Sequence, residues 1–110
     1  MKGFGGMGDM AGMLKQAQKM QKDMARIQEE LKERVVEGTS GGGAVKAFVN
    51  GQQELLSLKI EPSAVDPQDL SMLEDLVTAA VQNGLKASKE MMQAEMQKVT
   101  GGLGLPGLGM

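Results

Sequence analysis

A single α+β domain is the fold this sequence predicts: a long N-terminal helix, a small three-stranded antiparallel sheet and a long C-terminal helix. Three observations carry it. Apolar residues recur at helical spacing before residue 34 and again after Pro62, while strict alternation is confined to the stretch between them. That middle stretch also holds two turn signals, Gly41-Gly42-Gly43 and Asn50-Gly51. The chain has 110 residues, room for one domain and not two. The glycine-rich ends, 1–8 and 101–110, read as flexible, which leaves 9–100 for the domain. A core that small gains from self-association, because a second copy buries more apolar surface per chain.

Asp9 is the expected N-cap of the first helix, which should run from Met10 to Arg34, about 37 Å at the standard rise. Met13, Ala17, Met20, Met24, Ile27 and Leu31 follow one another at steps of four and three, a heptad-like seam. Six-residue strands span only about 20 Å, so the N-terminal half of this helix must project or meet another copy. On the opposite face Lys15, Lys19, Lys22 and Arg26 fall within about 60° of one another. Further along, the same stripe becomes acidic at Glu29, Glu30 and Glu33. Bases toward the N-terminus and acids toward the C-terminus oppose the helix dipole, and Lys15/Lys19 and Lys22/Arg26 are like-charged i,i+4 pairs. A solvated face is the ordinary outcome of such a run. An arrangement that works against the helix points instead to use, as a polyanion-binding stripe.

Arg34–Ser40 should form a short or edge strand, weakened by Glu37 and Gly38. The glycine triplet leads into a strand and lacks GxxxxGK[ST] before a helix, so it reads as a turn rather than a phosphate loop. Asn50-Gly51 suggests a tight hairpin built on positive φ, pairing Val49 with Glu54. Val45, Ala47 and Val49 then share a face with Leu56, Leu58 and Ile60, and Phe48 and Leu55 form an outward pair. Pro62 ends the last strand. Asp66-Pro67 supplies an N-cap and a first-turn Pro for the second helix. Its apolar face, Leu70, Leu73, Leu76, Val77, Ala80, Val81 and Leu85, is wide enough to serve both the sheet and a second subunit. Phe48, Leu55, Leu73, Leu76 and Val77 are the expected subunit contacts.

Chemistry is hard to place on this chain. It has no Cys and no His, so disulfides, thiolate metal sites and the commonest general base are excluded. Glu74 and Asp75 point to different helical faces, and Ser57, Ser63, Ser71 and Ser88 have no His to activate them. Neither a catalytic site, a metal, a cofactor nor a small-molecule substrate is expected. No signal peptide or membrane-length apolar run is seen, so a cytoplasmic protein is expected. Charge is near balance, with 12 Lys+Arg against 14 Asp+Glu and a net −2, and two Phe without Trp or Tyr leave little for base stacking.

The order of pieces is informative: a Met/Gln/Lys-rich helix, then Gly43-Ala44-Val45-Lys46, Val49-Asn50-Gly51, Ile60-Glu61-Pro62 and Leu73-Glu74-Asp75-Leu76-Val77. This resembles the bacterial YbaB/EbfC family of nucleoid-associated proteins over nearly the whole chain. The resemblance implies a homodimer with projecting helical arms. It also implies binding of double-stranded DNA with modest sequence preference, altered DNA conformation, and a part in nucleoid organisation and gene regulation. The quoted motifs are structural and name no DNA-contacting residue, so Lys15, Lys19, Lys22 and Arg26 are the candidates on charge alone. Two other readings compete. The 11 methionines could line a groove for varied apolar partners, making a protein-interaction module. The protein could also assist recombination or repair through a partner protein.

Overall fold

The computed structural model describes residues 2–102, with side chains described from Met10 to Val99. The ends read as flexible, 1–8 and 101–110, lie outside the residues whose side chains are described. Helix α1 spans Lys2–Glu33, strands β1, β2 and β3 span Val35–Ser40, Val45–Asn50 and Leu55–Ile60, and helix α2 spans Leu70–Gly102. Single 3₁₀ turns occupy Gly41–Gly43 and Pro62–Ala64. The strands form one antiparallel sheet in the order β1-β2-β3.

Helix α1 begins eight residues before the expected Met10, so Asp9 lies within it and does not cap it. No proline interrupts this stretch, and the hydrogen-bond ladder simply continues. The seam is buried only near the sheet: Ile27 and Leu31 are 4% and 1% exposed, whereas Met10 and Met13 are 70% and 68% exposed. The N-terminal half of α1 does project, and the molecule extends 81 Å along its longest axis.

The triple glycine is a turn, as expected, with φ of 59°, 67° and 96° at Gly41, Gly42 and Gly43. The Asn50-Gly51 hairpin differs from expectation. Val45 lies opposite Ile60 and Ala47 opposite Leu58, two residues out of the expected register, so the face assignment of Leu58 and Ile60 survives. Phe48 keeps that register opposite Ser57, and a bulge after it then places Val49 opposite Leu55. Residues directly opposite share a face, so Phe48 and Leu55 are not the outward pair expected of them. Gln53, not Gly51, carries the positive φ, at 64°. Gly51 is glycine for space: a Cβ there would stand 2.6 Å from the carbonyl oxygen of Leu31.

Helix α2 starts at Leu70 because Asp69 caps it, its carboxylate accepting from the amide of Met72 at 3.2 Å. The expected cap, Asp66, instead accepts from the amide of Gln68 and closes the preceding turn. The helix lies over β1 and β2 and buries Val45, Ala47 and Ala80, with Leu76, Val77 and Val81 packed around them. It leaves β3 uncovered. Leu58 and Ile60 share the α2 face, yet remain 37% and 39% exposed. The cause is on β1, where Gly38 meets the backbone of Ala80 and Gly84 and draws the helix axis toward that edge.

Candidate nucleic-acid interface

Beyond the sheet, the chain forms an arm. The second half of α1 runs beside the C-terminal part of α2, and the two enclose a groove of about 410 Å³ lined by Lys19, Met20, Arg26, Ile27, Lys98 and Val99 among others. Met20 and Ile27 on one helix and Val99 on the other make its apolar side. Met20 of the methionine seam therefore serves within the chain, whereas Met10 and Met13 at its far end are left open and Met24 is 39% exposed.

Lys15, Lys19, Lys22 and Arg26 are all exposed on this arm, with Lys19 and Arg26 also lining the groove. They do not behave alike. Arg26 stands 3.8 Å from Asp23 and 4.0 Å from Glu30, so two carboxylates already answer its charge. Lys15, Lys19 and Lys22 make no ion pair within the described residues. The dipole cost expected of the stripe also falls away. A helix starting at Lys2 places these residues mid-helix, beyond the terminal turns where the dipole acts. The like-charged i,i+4 spacing remains as the unfavourable feature.

Glu95 and Lys98 belong to no motif in the sequence, yet they take part in a contact between the two helices. One Glu95 carboxylate oxygen accepts from Lys98 at 3.1 Å and from Arg34 at 2.9 Å, tying the end of α1 to α2. Hydrogen bonds from Lys98 and then Arg34 hold the Glu95 carboxyl below the usual glutamate range. Nothing local signals a contact between residues 61 apart.

The β2–β3 turn is a second site that local patterns hide. Buried Asn50 shapes it, its side-chain oxygen accepting from the amides of Gln52 and Glu54, each at 3.0 Å. Ser88 of α2, fully buried, donates to the Asn50 carbonyl at 2.6 Å and accepts from the amide of Gln53 at 3.2 Å. From the same turn Gly51 N–H donates to the Leu31 carbonyl at 2.7 Å and Gln52 Nε2 to the Gln28 carbonyl at 2.7 Å.

Of the expected subunit contacts, Leu76 and Val77 pack on the protomer's own core, and the Leu76 carbonyl accepts from Ser40 at 2.6 Å. Phe48 and Leu73 are half-buried, and Leu55 is exposed. Among the described residues no group of three carboxylates could hold a metal ion. No helix there is long and apolar enough to cross a membrane.

Similar proteins account for this arrangement. A nucleoid-associated protein of Moorella thermoacetica is 57% identical over 102 residues, covering 93% of this chain and 98% of its own. One from Pelotomaculum thermopropionicum is 52% identical over 101 residues, covering 92% and 96%. The crystal structure of an uncharacterized Helicobacter pylori protein superposes with a TM-score of 0.69 at 26% identity, covering 83% of this chain and 92% of that one. Residues 7–103 match the YbaB/EbfC DNA-binding family. With the sheet, the two long helices and the family pattern in agreement, this chain belongs to the YbaB/EbfC DNA-binding family.

Proposed function

We propose that the protein binds double-stranded DNA through phosphate contacts made by Lys15, Lys19 and Lys22, and that it works as a homodimer presenting two such arms. The family is one of DNA-binding proteins and not of enzymes. The observation that carries the site is the set of three exposed lysines, without an ion pair among the described residues, along one side of a projecting helix. Arg26 contributes less, because Asp23 and Glu30 compete with phosphate for it. Within hydrogen-bonding reach of base edges the stripe offers only Gln16, Gln18 and Gln21, so contacts to the backbone dominate and sequence preference is weak. The relatives named nucleoid-associated support the same setting, the nucleoid, and a role in shaping DNA there is part of this proposal.

A second copy is the natural cover for β3. Leu56, Leu58 and Ile60 there, and Leu70 and Met72 at the start of α2, are 37–56% exposed, an apolar surface the protomer leaves open. Leu55, 46% exposed on the same strand, belongs with them, whereas Phe48 is half-buried.

Titrating a fluorescent random duplex across a salt series tests the reading. Six lysines in a dimer give a slope of log K against log salt no steeper than about −5. Changing Lys15, Lys19 and Lys22 together to Gln should abolish binding with the dimer intact. Undiminished affinity in that variant would sink the assignment.

A further inference from the structure

The arm that carries the lysines has a slender attachment. In α1, among the described residues, only Ile27 and Leu31 are buried. Much of the remaining hold comes from one five-residue turn. Gly51 N–H answers the carbonyls of Leu31 and Arg34 at 2.7 and 3.0 Å, capping the C-terminal end of α1 where helical partners run out. Gln52 reaches one turn further along the helix and gives the Gln28 carbonyl a second donor at 2.7 Å. Ser88 fastens α2 to the same turn at its Asn50 carbonyl and Gln53 amide. Both helices of the arm are thus referenced to one rigid point, which Asn50 holds in shape through its own side chain.

We propose that the β2–β3 turn, residues 50–54, is the joint that fixes the angle of the cationic arm to the sheet, with Gln52 as its positioning residue. Leverage makes the angle matter. Lys15 lies about 20 Å along the helix from Gln28 at the standard rise. A tilt of about 10° would carry Lys15 through roughly 3 Å, about one base-pair step of a duplex. Gln52 contributes nothing to the phosphate count. It decides where along the duplex the counted lysines land.

The consequence for DNA rests on the proposed function, but the joint can be measured without it. The natural chain has no cysteine, so Gln18→Cys on the arm and Ser57→Cys on β3 accept spin labels at those two places alone. Labelled chains diluted into unlabelled protein then report the distance within one protomer. Removing the donor with Gln52→Ala or Gln52→Glu should widen the distance distribution, with about a fivefold rise in the undocked share, the effect of one ordinary hydrogen bond. Gln52→Lys keeps a donor in reach and should retain the narrow distribution, a rescue that a general loss of folding would not show. On a duplex, the Ala variant should keep the wild-type salt slope while its protected length becomes longer and less sharply bounded. An unchanged distance distribution in the Ala and Glu variants overturns the joint. A widened distribution with an unchanged footprint overturns its role in DNA placement. If the wild type fails to bind duplex at all, the proposed function fails, and the distance measurement still decides the joint.

Discussion

Ser88 donates its hydroxyl proton to the carbonyl oxygen of Asn50 at 2.6 Å, and the two residues are 0% and 2% exposed. The bond joins the middle of α2 to the end of β2 where no water competes. Ser88→Ala leaves the Asn50 carbonyl and the Gln53 amide without this partner. The expected loss is about 1–3 kcal/mol, the cost of burying an unanswered polar group. Urea unfolding followed by circular dichroism should show a lower midpoint at an unchanged m-value.

Gly38 and Gly84 pack backbone against backbone, and a Cβ on Gly38 would collide with the Gly84 amide nitrogen and the Ala80 carbonyl. Backbone cannot swing aside as a side chain does. Gly38→Ala should therefore cost about 3 kcal/mol or more, or prevent folding outright. Gly42→Ala meets nothing within 4 Å and strains only a φ of 67°, so about 1–2 kcal/mol is expected there. Comparable thermal melts for the two variants would contradict this assignment of the helix–sheet contact.

The four cations of the stripe should separate in a binding assay. Lys19→Gln or Lys22→Gln alone should lower duplex affinity and flatten the salt slope by about 2, one phosphate lost from each arm. Arg26→Gln should change both less, since Asp23 and Glu30 already engage the guanidinium. Equal losses at Arg26 and Lys22 would show that these surface pairs open freely on contact with DNA.

Leu58→Asp places a charge in the exposed apolar surface of β3 without touching the core under α2. Sedimentation should report a dimer for the parent chain and a monomer for this variant, and the salt slope should fall by about half as one arm is lost. A variant that remains dimeric places the interface elsewhere.

Glu95 makes stability depend on pH in a definite direction. Its carboxyl is held below the usual range by Lys98 and Arg34, so the unfolded chain takes up this proton at a higher pH than the folded one. The contribution is complete above the ordinary glutamate pKa and disappears as pH falls through the depressed value. Glu95→Gln should lose stability at neutral pH and show a shallower decline in acid, measured as unfolding midpoints across a pH series. An identical decline in both proteins would show that the contact between Arg34 and Glu95 is not maintained in solution.

Much of the architecture is readable from local chemistry. Unbroken helical spacing marked both long helices, and three consecutive glycines announced a turn that the positive φ values bear out. The cation stripe is a matter of 100° per residue, and all four residues are exposed as expected. Errors gather where distant segments meet. In isolation the Asn50-Gly51 pair favours a positive-φ hairpin. Here Gly51 is small to admit Leu31, and the positive φ falls on Gln53. Arg26 is the exception: Asp23 and Glu30 stand three and four residues away on the same helix, so this pairing is local and legible in the sequence.

By itself the sequence determined which segments are helix and which are strand, where they turn, and which face of the first helix carries positive charge. Those properties depend on residues within a turn or two of one another, through periodicity and backbone preference. Tertiary structure alone decided that α2 sits over β1 and β2 and leaves β3 bare, that the hairpin shifts by two residues and bulges, and that one turn fixes both helices of the arm. Each of these depends on how closely two remote backbones can approach. Gly38 against Gly84 and Gly51 against Leu31 set that distance, and no window along the chain contains both partners.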